Sequence, residues 1–415
     1  MKAQDALPNL NSRIREYANY SVRGIKKLIT KTGPRPCGSE AEKQAQEYVF
    51  NELKTATDDV IMEEFTVHPR AFFGWFRIDA VCLLATIVLL NLGLAYFAIP
   101  LLVISIAALV GEFLLYKEFL DPLYPKKTSY NTFATIRPTG EVKRHIIFGG
   151  HVDSSYEWSP TYYGKAPLMY FCFIYPAVGL GLAVVSTIVA CATGQGFSFM
   201  EISGANMILA RIMIAFIPAY FILFFFINYK RPVDGANDNL TGVFTSIAIL
   251  KFMKDNNITF ENTQVSCLST GGEEAGLRGA KAFAKAHKDK LLDPNVETVF
   301  IAVDTLRDYD TMAIYRRDLS GLVCHDIRAC ELLKEAGKEA GIDMEYSVIF
   351  AGASDACAMT QAGVTGCCFA AMDPGPPHYY HTRLDTYDNM DFKSVEKGFE
   401  IMVNTLFLFD EKGLG

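Results

Sequence analysis

Five short clusters of acidic and imidazole side chains mark this chain: His151-Val152-Asp153, Asp238-Asn239, Glu273-Glu274, Asp304 and His381. Neutral imidazoles together with carboxylates are the donors that a divalent cation of hard or borderline character takes. A catalytic site built from them keeps one position open for water. Two imidazoles and several carboxylates suffice for a pair of such ions. One spacing is anomalous, because Asp238 follows His151 by 87 positions and a long apolar stretch lies between them.

Stepping outward, each cluster needs an element to hold it. Lys143 to Gly150 forms a strand that delivers His151. Val265 to Ser269 forms another, ending in Thr270-Gly271-Gly272 before the glutamate pair. Val299 to Val303 ends at Asp304, and Thr365 to Met372 is followed by a Pro/Gly loop and His381. Helical stretches run over Thr241 to Lys254, Leu277 to His287, Cys324 to Ala340 and Ser394 to Phe409. Strands alternating with helices indicate an α/β layered fold, and most of the clusters fall at strand carboxyl ends, where open α/β sheets place their sites.

The composition sets further bounds. Of 415 residues, 50% are hydrophobic and 20% charged, with a mean hydropathy of +0.16, so the apolar residues must be concentrated. A net charge of −7 speaks against nucleic acid as a partner, which calls for a basic face. The ten cysteines follow no disulfide framework and contain no CxxC pair. They are expected as reduced, mostly buried thiols in a reducing compartment. The opening MKAQDALPNLNSRIREYANYSVRG lacks the apolar core of a secretory signal.

Ile78 to Tyr116 spans 39 residues. As one helix it would be about 58 Å long, roughly twice a hydrocarbon core, so two spans with a turn near Tyr96 to Pro100 are expected. A second uncharged run covers Ala166 to Met200, with an exit turn at Gly194-Gln195-Gly196, and a last run covers Ile212 to Tyr229. The reading is therefore two transmembrane hairpins, 78–116 and 166–229, giving four spans inserted into one discontinuous polar domain of residues 1–76, 118–164 and 232–415. The alternative, two apolar hairpins inside a soluble domain, fits the length of these runs less well. Arg70, Arg77, Lys117, Lys126, Lys127, Lys165, Lys230 and Arg231 flank the feet of the hairpins, against Arg211 at the far end. That asymmetry predicts an integral protein of the cell membrane, with the bilayer as a partner and the polar domain on the cytoplasmic side. No small-xxx-small run decides whether the hairpins pair as a homo-oligomer.

In order along the chain stand Gly33-Pro34-Arg35-Pro36-Cys37-Gly38-Ser39-Glu40, His151-Val152-Asp153, Gly235-Ala236-Asn237-Asp238-Asn239-Leu240-Thr241-Gly242, Gly272-Glu273-Glu274-Ala275-Gly276-Leu277-Arg278-Gly279 and His381-Thr382-Arg383-Leu384-Asp385-Thr386. The set resembles the M28 family of dizinc aminopeptidases and covers nearly all of the polar domain. The resemblance implies a mixed eight-stranded sheet in an α/β/α sandwich, two Zn²⁺ per chain (with Co²⁺ or Mn²⁺ as substitutes) and hydrolysis of N-terminal residues from peptide substrates. It implies that Asp238 bridges the ions, that His151 and Asp304 complete one and Glu274 and His381 the other, and that Glu273 is the general base. The chemistry asks for the same division, since a carboxylate free of metal must take the proton of the attacking water. Asp153 is expected to hold the second ring nitrogen of His151, and Asp385 to do similar work near His381. Ser354-Asp355 matches a recurring piece of the family near the substrate pocket, or else caps a helix.

Plainer roles exist for single motifs. Glu273-Glu274 could open a helix, Asp238 could be an N-cap, and Asp304 a turn residue. His378 competes with His381, which alone is followed by Thr382 and then Asp385-Thr386. His68, His145, His287 and His325 are expected as surface or core residues. The departures from the family are the inserted hairpins, Leu at position 240, and Arg383-Leu384 before Asp385. Two other functions remain open: a one-zinc glutaminyl cyclase on the same fold, and a non-catalytic membrane receptor or scaffold.

Overall fold

A computed structural model describes residues 9–373 and 375–415. The reading of the N-terminal segment as no secretory signal falls partly outside these, as does Pro374 of the Pro/Gly loop. The chain divides into two compact units, one of Met1–Pro69, Lys126–Tyr156 and Pro232–Gly415, the other of Arg70–Pro125 and Glu157–Arg231. Strands among the described residues are numbered in chain order: β1 (Val60–Val67), β2 (Lys127–Ile136), β3 (Arg144–His151), β4 (Tyr156–Trp158), β5 (Ile227–Pro232), β6 (Thr263–Thr270), β7 (Glu297–Leu306), β8 (Met312–Asp318), β9 (Val323–Cys324), β10 (Glu345–Ile349) and β11 (Thr365–Ala371).

In the first unit one mixed sheet runs β1-β2-β6-β3-β7-β11-β8-β10, and the two-residue β9 hydrogen-bonds to β8. The eight-stranded path carries that short ninth strand as an addition. The centre is parallel, with β3 between β6 and β7, and β11 beside β7. These strands are apolar on both faces, as Ile146, Ile147 and Phe148 or Phe300, Ile301 and Val303 illustrate, all of them closed to water. The register sets the site. His151 lies beside Thr270, three residues before Glu273, and Asp304 lies beside Ala370. The parallel ends therefore deliver their loops to one edge.

Helices cover both faces. Ala134 of β2 joins the core shared with helices Leu10–Thr32, Thr241–Asp255, Ile327–Glu339 and Phe392–Lys412. Its neighbour Phe133 points the other way and packs its ring 4.9 Å from Phe283 of helix Arg278–Ala286. Several boundaries differ from the sequence reading. Residues 323–324 pair as β9, so the expected helix from Cys324 begins at Ile327, after Asp326 accepts the main-chain N–H of Arg328. Strand β7 runs two residues past Asp304. The first helices and β1, β2, β8 and β10 carry no ligand, and the motifs gave no sign of them.

The second unit contains four helices long and apolar enough to cross a membrane: Gly74–Asn91, Ala95–Leu114, Ser159–Ala192 and Gly204–Leu223. The first turn lies at 92–94, earlier than the expected Tyr96 to Pro100, because Gly93 supplies the positive φ of 71° and Pro100 is carried inside the second helix. The fourth helix begins at Gly204, eight residues before the uncharged run. Arg211 therefore sits within it and donates to Asn91 Oδ1 at 3.2 Å. Lys165, at φ 55°, breaks the third helix two residues before Pro167. The two turns bond to each other through Ser198 N–H to Gly93 O and Met200 N–H to Leu92 O, both 2.8 Å. Both hairpins thus turn at the same end of this unit. Near their other end Trp75, Phe76, Phe113, Trp158, Phe173 and Phe226 stack into an aromatic knot.

All ten cysteines are free thiols. His145, buried on β3 with Nε2 2.8 Å from Ser266 Oγ, is pushed down to about 3 by burial. A depressed histidine stays neutral when folded but takes a proton when unfolded, so stability is lost as pH falls from about 6.5 towards 3. His145→Gln is expected to lose less stability than the parent over that window, read as the change in unfolding midpoint with pH. Equal pH dependence would remove His145 from this role.

Candidate metal centre

The carboxyl end of β3 supplies His151 and then Asp153. Asp238 comes from the loop that opens at Gly235 (φ 57°) and feeds helix Thr241–Asp255. Glu273 and Glu274 follow β6, Asp304 lies near the end of β7, and His381 lies in the loop beyond β11 with φ 52°. Asp238 is central. Its Oδ1 is 3.2 Å from His151 Nε2 and its Oδ2 is 3.0 Å from His381 Nε2. Glu274 Oε1 is 3.1 Å from His381 Nε2, and Glu273 Oε2 is 3.8 Å from His151 Nε2. His381, not His378, is the imidazole that faces both Asp238 and Glu274. Glu273 has a more exposed side chain than His151, Asp238, Glu274 or His381, at 12% against 3% for His151. It can meet water.

The main chain around these groups is fixed by other buried side chains. Asp153 accepts the N–H of Glu273 at 3.0 Å on one oxygen and that of Glu274 at 3.1 Å on the other. The sequence reading gave Asp153 the second nitrogen of His151. That Nδ1 instead lies nearest the Asp153 main-chain oxygen, at 3.1 Å, with the carboxylate at 3.6 Å, because both carboxylate oxygens are committed to the glutamate loop. Asp385 was expected beside His381, and it grips the other loop: Oδ1 accepts from Asn237 N and Nδ2, and Oδ2 from Asp238 N. Ser354 caps no helix with its side chain, since its hydroxyl and N–H both donate to Asp318 Oδ2. Asp355 accepts the hydroxyl of Thr270 on one oxygen. Its other oxygen is buried with no hydrogen-bond donor.

Sequence motifs alone assigned no role to several further supports. Arg35 is completely buried. It donates from Nε to Val152 O at 2.7 Å, from Nη1 to Gly33 O and from Nη2 to Gly235 O, both at 3.1 Å. Its main chain also exchanges bonds with Ser154. It thereby joins the loop after His151 to the loop before Asp238. Asn239 donates to Val303 O and accepts from Gly242 and Thr305 N–H, tying Asp238 to the end of β7. Gly242 lets these come close, for a Cβ there would stand 1.9 Å from Val303 O. Glu42 accepts from Gly38, Ser129 and Gly272. Tyr380 stacks on His381 with centroids 4.0 Å apart. Arg35 stood within a quoted motif. Glu42 and Tyr380 gave no signal beyond nearness to one.

Electrostatics follows from burying so many carboxylates together. Burial pushes Asp304 up to about 7, with Asp238 adding to the rise. Burial raises Glu273 well above the usual range despite the pull of His151, and Asp355 and Glu274 reinforce it. Burial works against charge on the imidazoles, yet Glu273, Asp153 and Asp238 outweigh it at His151, and Glu274 and Asp238 lift His381 to about 10. The cluster calls for positive charge at its centre.

Residues 224–406 match the model of peptidase family M28. That stretch is an M28 peptidase domain. It contains Asp238, Glu273, Glu274, Asp304 and His381, while His151 comes from a strand before it. Solved structures share the fold: a zinc aminopeptidase from Bacillus subtilis (14% identity, 94% of each chain covered, TM-score 0.55), an aminopeptidase from Aneurinibacillus sp. strain AM-1 (14%, 96% of this chain and 95% of that one, 0.56) and a glutaminyl cyclase from an Acidobacteriales bacterium (13%, 96% of each, 0.56). The M28 match makes this domain a metallopeptidase. The donor set fits zinc. Asp238 Oδ2 and Glu274 Oε1 are shut off from water, and neither lies in hydrogen-bonding geometry to a donor. Ligand atoms of His151, Asp238 and Glu274 all lie within 4.8 Å of one another. One imidazole N–H cannot serve two carboxylates, whereas a cation binds all of them.

Asp153→Asn replaces one acceptor by a donor facing a main-chain N–H. It is expected to weaken zinc about 10- to 100-fold, as loss of groups that orient ligands does, measured by competition against a chromogenic chelator. Unchanged affinity would show that the glutamate loop holds its place without Asp153.

Proposed function

We propose that the chain is a membrane-anchored aminopeptidase that uses two Zn²⁺ ions, with its catalytic unit on the cytoplasmic face. The observation that carries the reading is Asp238, whose two oxygens each face a different imidazole. His151 and Asp304 serve one ion and Glu274 and His381 the other, with Co²⁺ or Mn²⁺ as substitutes.

Bound there, a pair of divalent cations would polarise the scissile carbonyl and lower the pKa of a shared water. The protein does the rest. Asp153 holds the N–H groups of both glutamates, so Glu274 is directed to a ligand position while Glu273 stays free at the more open edge. Glu273 takes a proton from the attacking water at its carboxylate and gives it to the leaving amine. A base of this kind works best near the operating pH, and burial among carboxylates raises Glu273 in that direction. Peptides are the substrates. Asp355 lies close enough to act on the Glu273 carboxyl and has an unbonded oxygen. With Ser354 anchored on Asp318, it stands as a support at the substrate side.

The membrane part rests on four helices of sufficient length and apolarity, whose surfaces carry Val81, Val88, Val103, Ile104, Phe171, Val185 and Phe221 exposed. The basic residues at the hairpin feet support a catalytic unit on the cytoplasmic side. Glutaminyl cyclase chemistry is the second reading, favoured by the cyclases among the structures of like fold.

Glu273→Gln is expected to bind zinc normally and to lower the release of free amino acids from short peptides by at least about 100-fold, the worth of a positioned base. Turnover at the parent rate would contradict the role. Pyroglutamate formation from N-terminal glutamine peptides, with no amino-acid release, would move the assignment to the cyclase.

A further inference from the structure

We propose that the basic foot of the apolar unit is a binding site for the phosphate headgroups of anionic phospholipids. The proposal rests on the membrane reading above and adds a ligand to it. Arg70 precedes helix Gly74–Asn91 and Arg77 lies in its first turn. Their guanidinium carbons stand 4.9 and 5.5 Å from the centroid of one ring, that of Tyr229. Tyr229 is on β5, where side chains alternate, so Arg231 shares its face while Lys230 points the other way. Arg70, Arg77, Lys230 and Arg231 are all exposed.

Two guanidinium groups on one aromatic ring repel each other. The cation–π attraction that holds each is worth roughly 0.5–1 kcal/mol at an exposed position. The positive end of the helix adds to the strain, because a cation in the first turn opposes the dipole. Among the described residues, neither Arg70 nor Arg77 stands in an ion pair, unlike Arg13, Arg137, Arg144, Arg307 and Arg328. An anion is what the arrangement lacks. Planar guanidinium donors held by a ring suit phosphate oxygens, which take them two at a time.

The height of the cluster selects a lipid over a soluble anion. Arg77 is followed on the same helix by Val81 and Val88, both more than half exposed, so the cations sit where an apolar, lipid-facing surface begins. A headgroup phosphate lies at that level when its acyl chains lie along the helix. The opposite end of the unit offers no equivalent, for its Arg211 is engaged with Asn91.

The test uses the full chain in nanodiscs of phosphatidylcholine alone or mixed with phosphatidylglycerol, with retained lipid read by native mass spectrometry. The parent should retain phosphatidylglycerol selectively. R70Q/R77Q should lower its apparent affinity about 30-fold, each basic residue contributing roughly fivefold, and R211Q should leave it unchanged. R70K/R77K, which keeps the charge but not the planar donors, should fall between. Equal retention of the two lipids by the parent, or parent-like retention by R70Q/R77Q, would overturn the proposal. So would displacement of the lipid by soluble glycerol phosphate alone, which would assign the site to free anions. Alkaline carbonate extraction of native membranes separates the two readings. A chain that washes off refutes the membrane reading, whereas an embedded chain with no lipid preference refutes this proposal only.

Discussion

Buried carboxylates repel one another, and this centre gathers Asp153, Asp238, Glu273, Glu274, Asp304 and Asp355 around two imidazoles. Such a cluster cannot set its own geometry. It is stable only if the main chain beneath it is fixed by other bonds and if positive charge occupies its centre. The first condition is visible. Asp153 fixes the glutamate loop, Asp385 and Asn239 fix the Asp238 loop, and Arg35 joins the Asp238 loop to the end of β3. The imidazoles, raised by their acidic neighbours, show that the centre favours positive charge.

The same bonds explain how the site tolerates a long interruption. After Tyr156 the chain enters the apolar unit and re-enters the catalytic unit at Pro232. Ser155 O accepts from Val233 N–H at 3.0 Å, so the two ends of the gap meet as neighbours. Arg35 then spans the gap a second time, from Val152 to Gly235, with no exposed surface of its own. A loop closed this firmly at its base can be long without disturbing what it connects, since added length costs little further closure entropy. The interruption between His151 and Asp238 is thus a local matter of a few hydrogen bonds.

How much of this was legible in the sequence follows from how each group announces itself. His151, Asp238, Glu273, Glu274, Asp304 and His381 sat at the ends of apolar strand-like runs or in Gly-rich turns, and the parallel register draws those ends together. The central strands were plain because they are buried on both faces. Edge strands β1 and β10, with mixed burial, were not. Asp153 and Asp385 were singled out, but their partners were not, because a carboxylate that accepts main-chain N–H groups leaves no pattern in residue types. The turn of the first hairpin was set too late. Pro100 looks like a breaker, yet within a long apolar helix a proline is tolerated when Gly93 has already made the turn.

The central claim is that Asp238 stands between two cations. Anomalous scattering at the zinc edge from crystals of the zinc-loaded chain tests it most directly. The account predicts two peaks, one on each side of the Asp238 carboxylate, the first also bounded by His151 and Asp304 and the second by Glu274 and His381. A single peak at full occupancy, with zinc in excess and the second set of ligands empty, would contradict it.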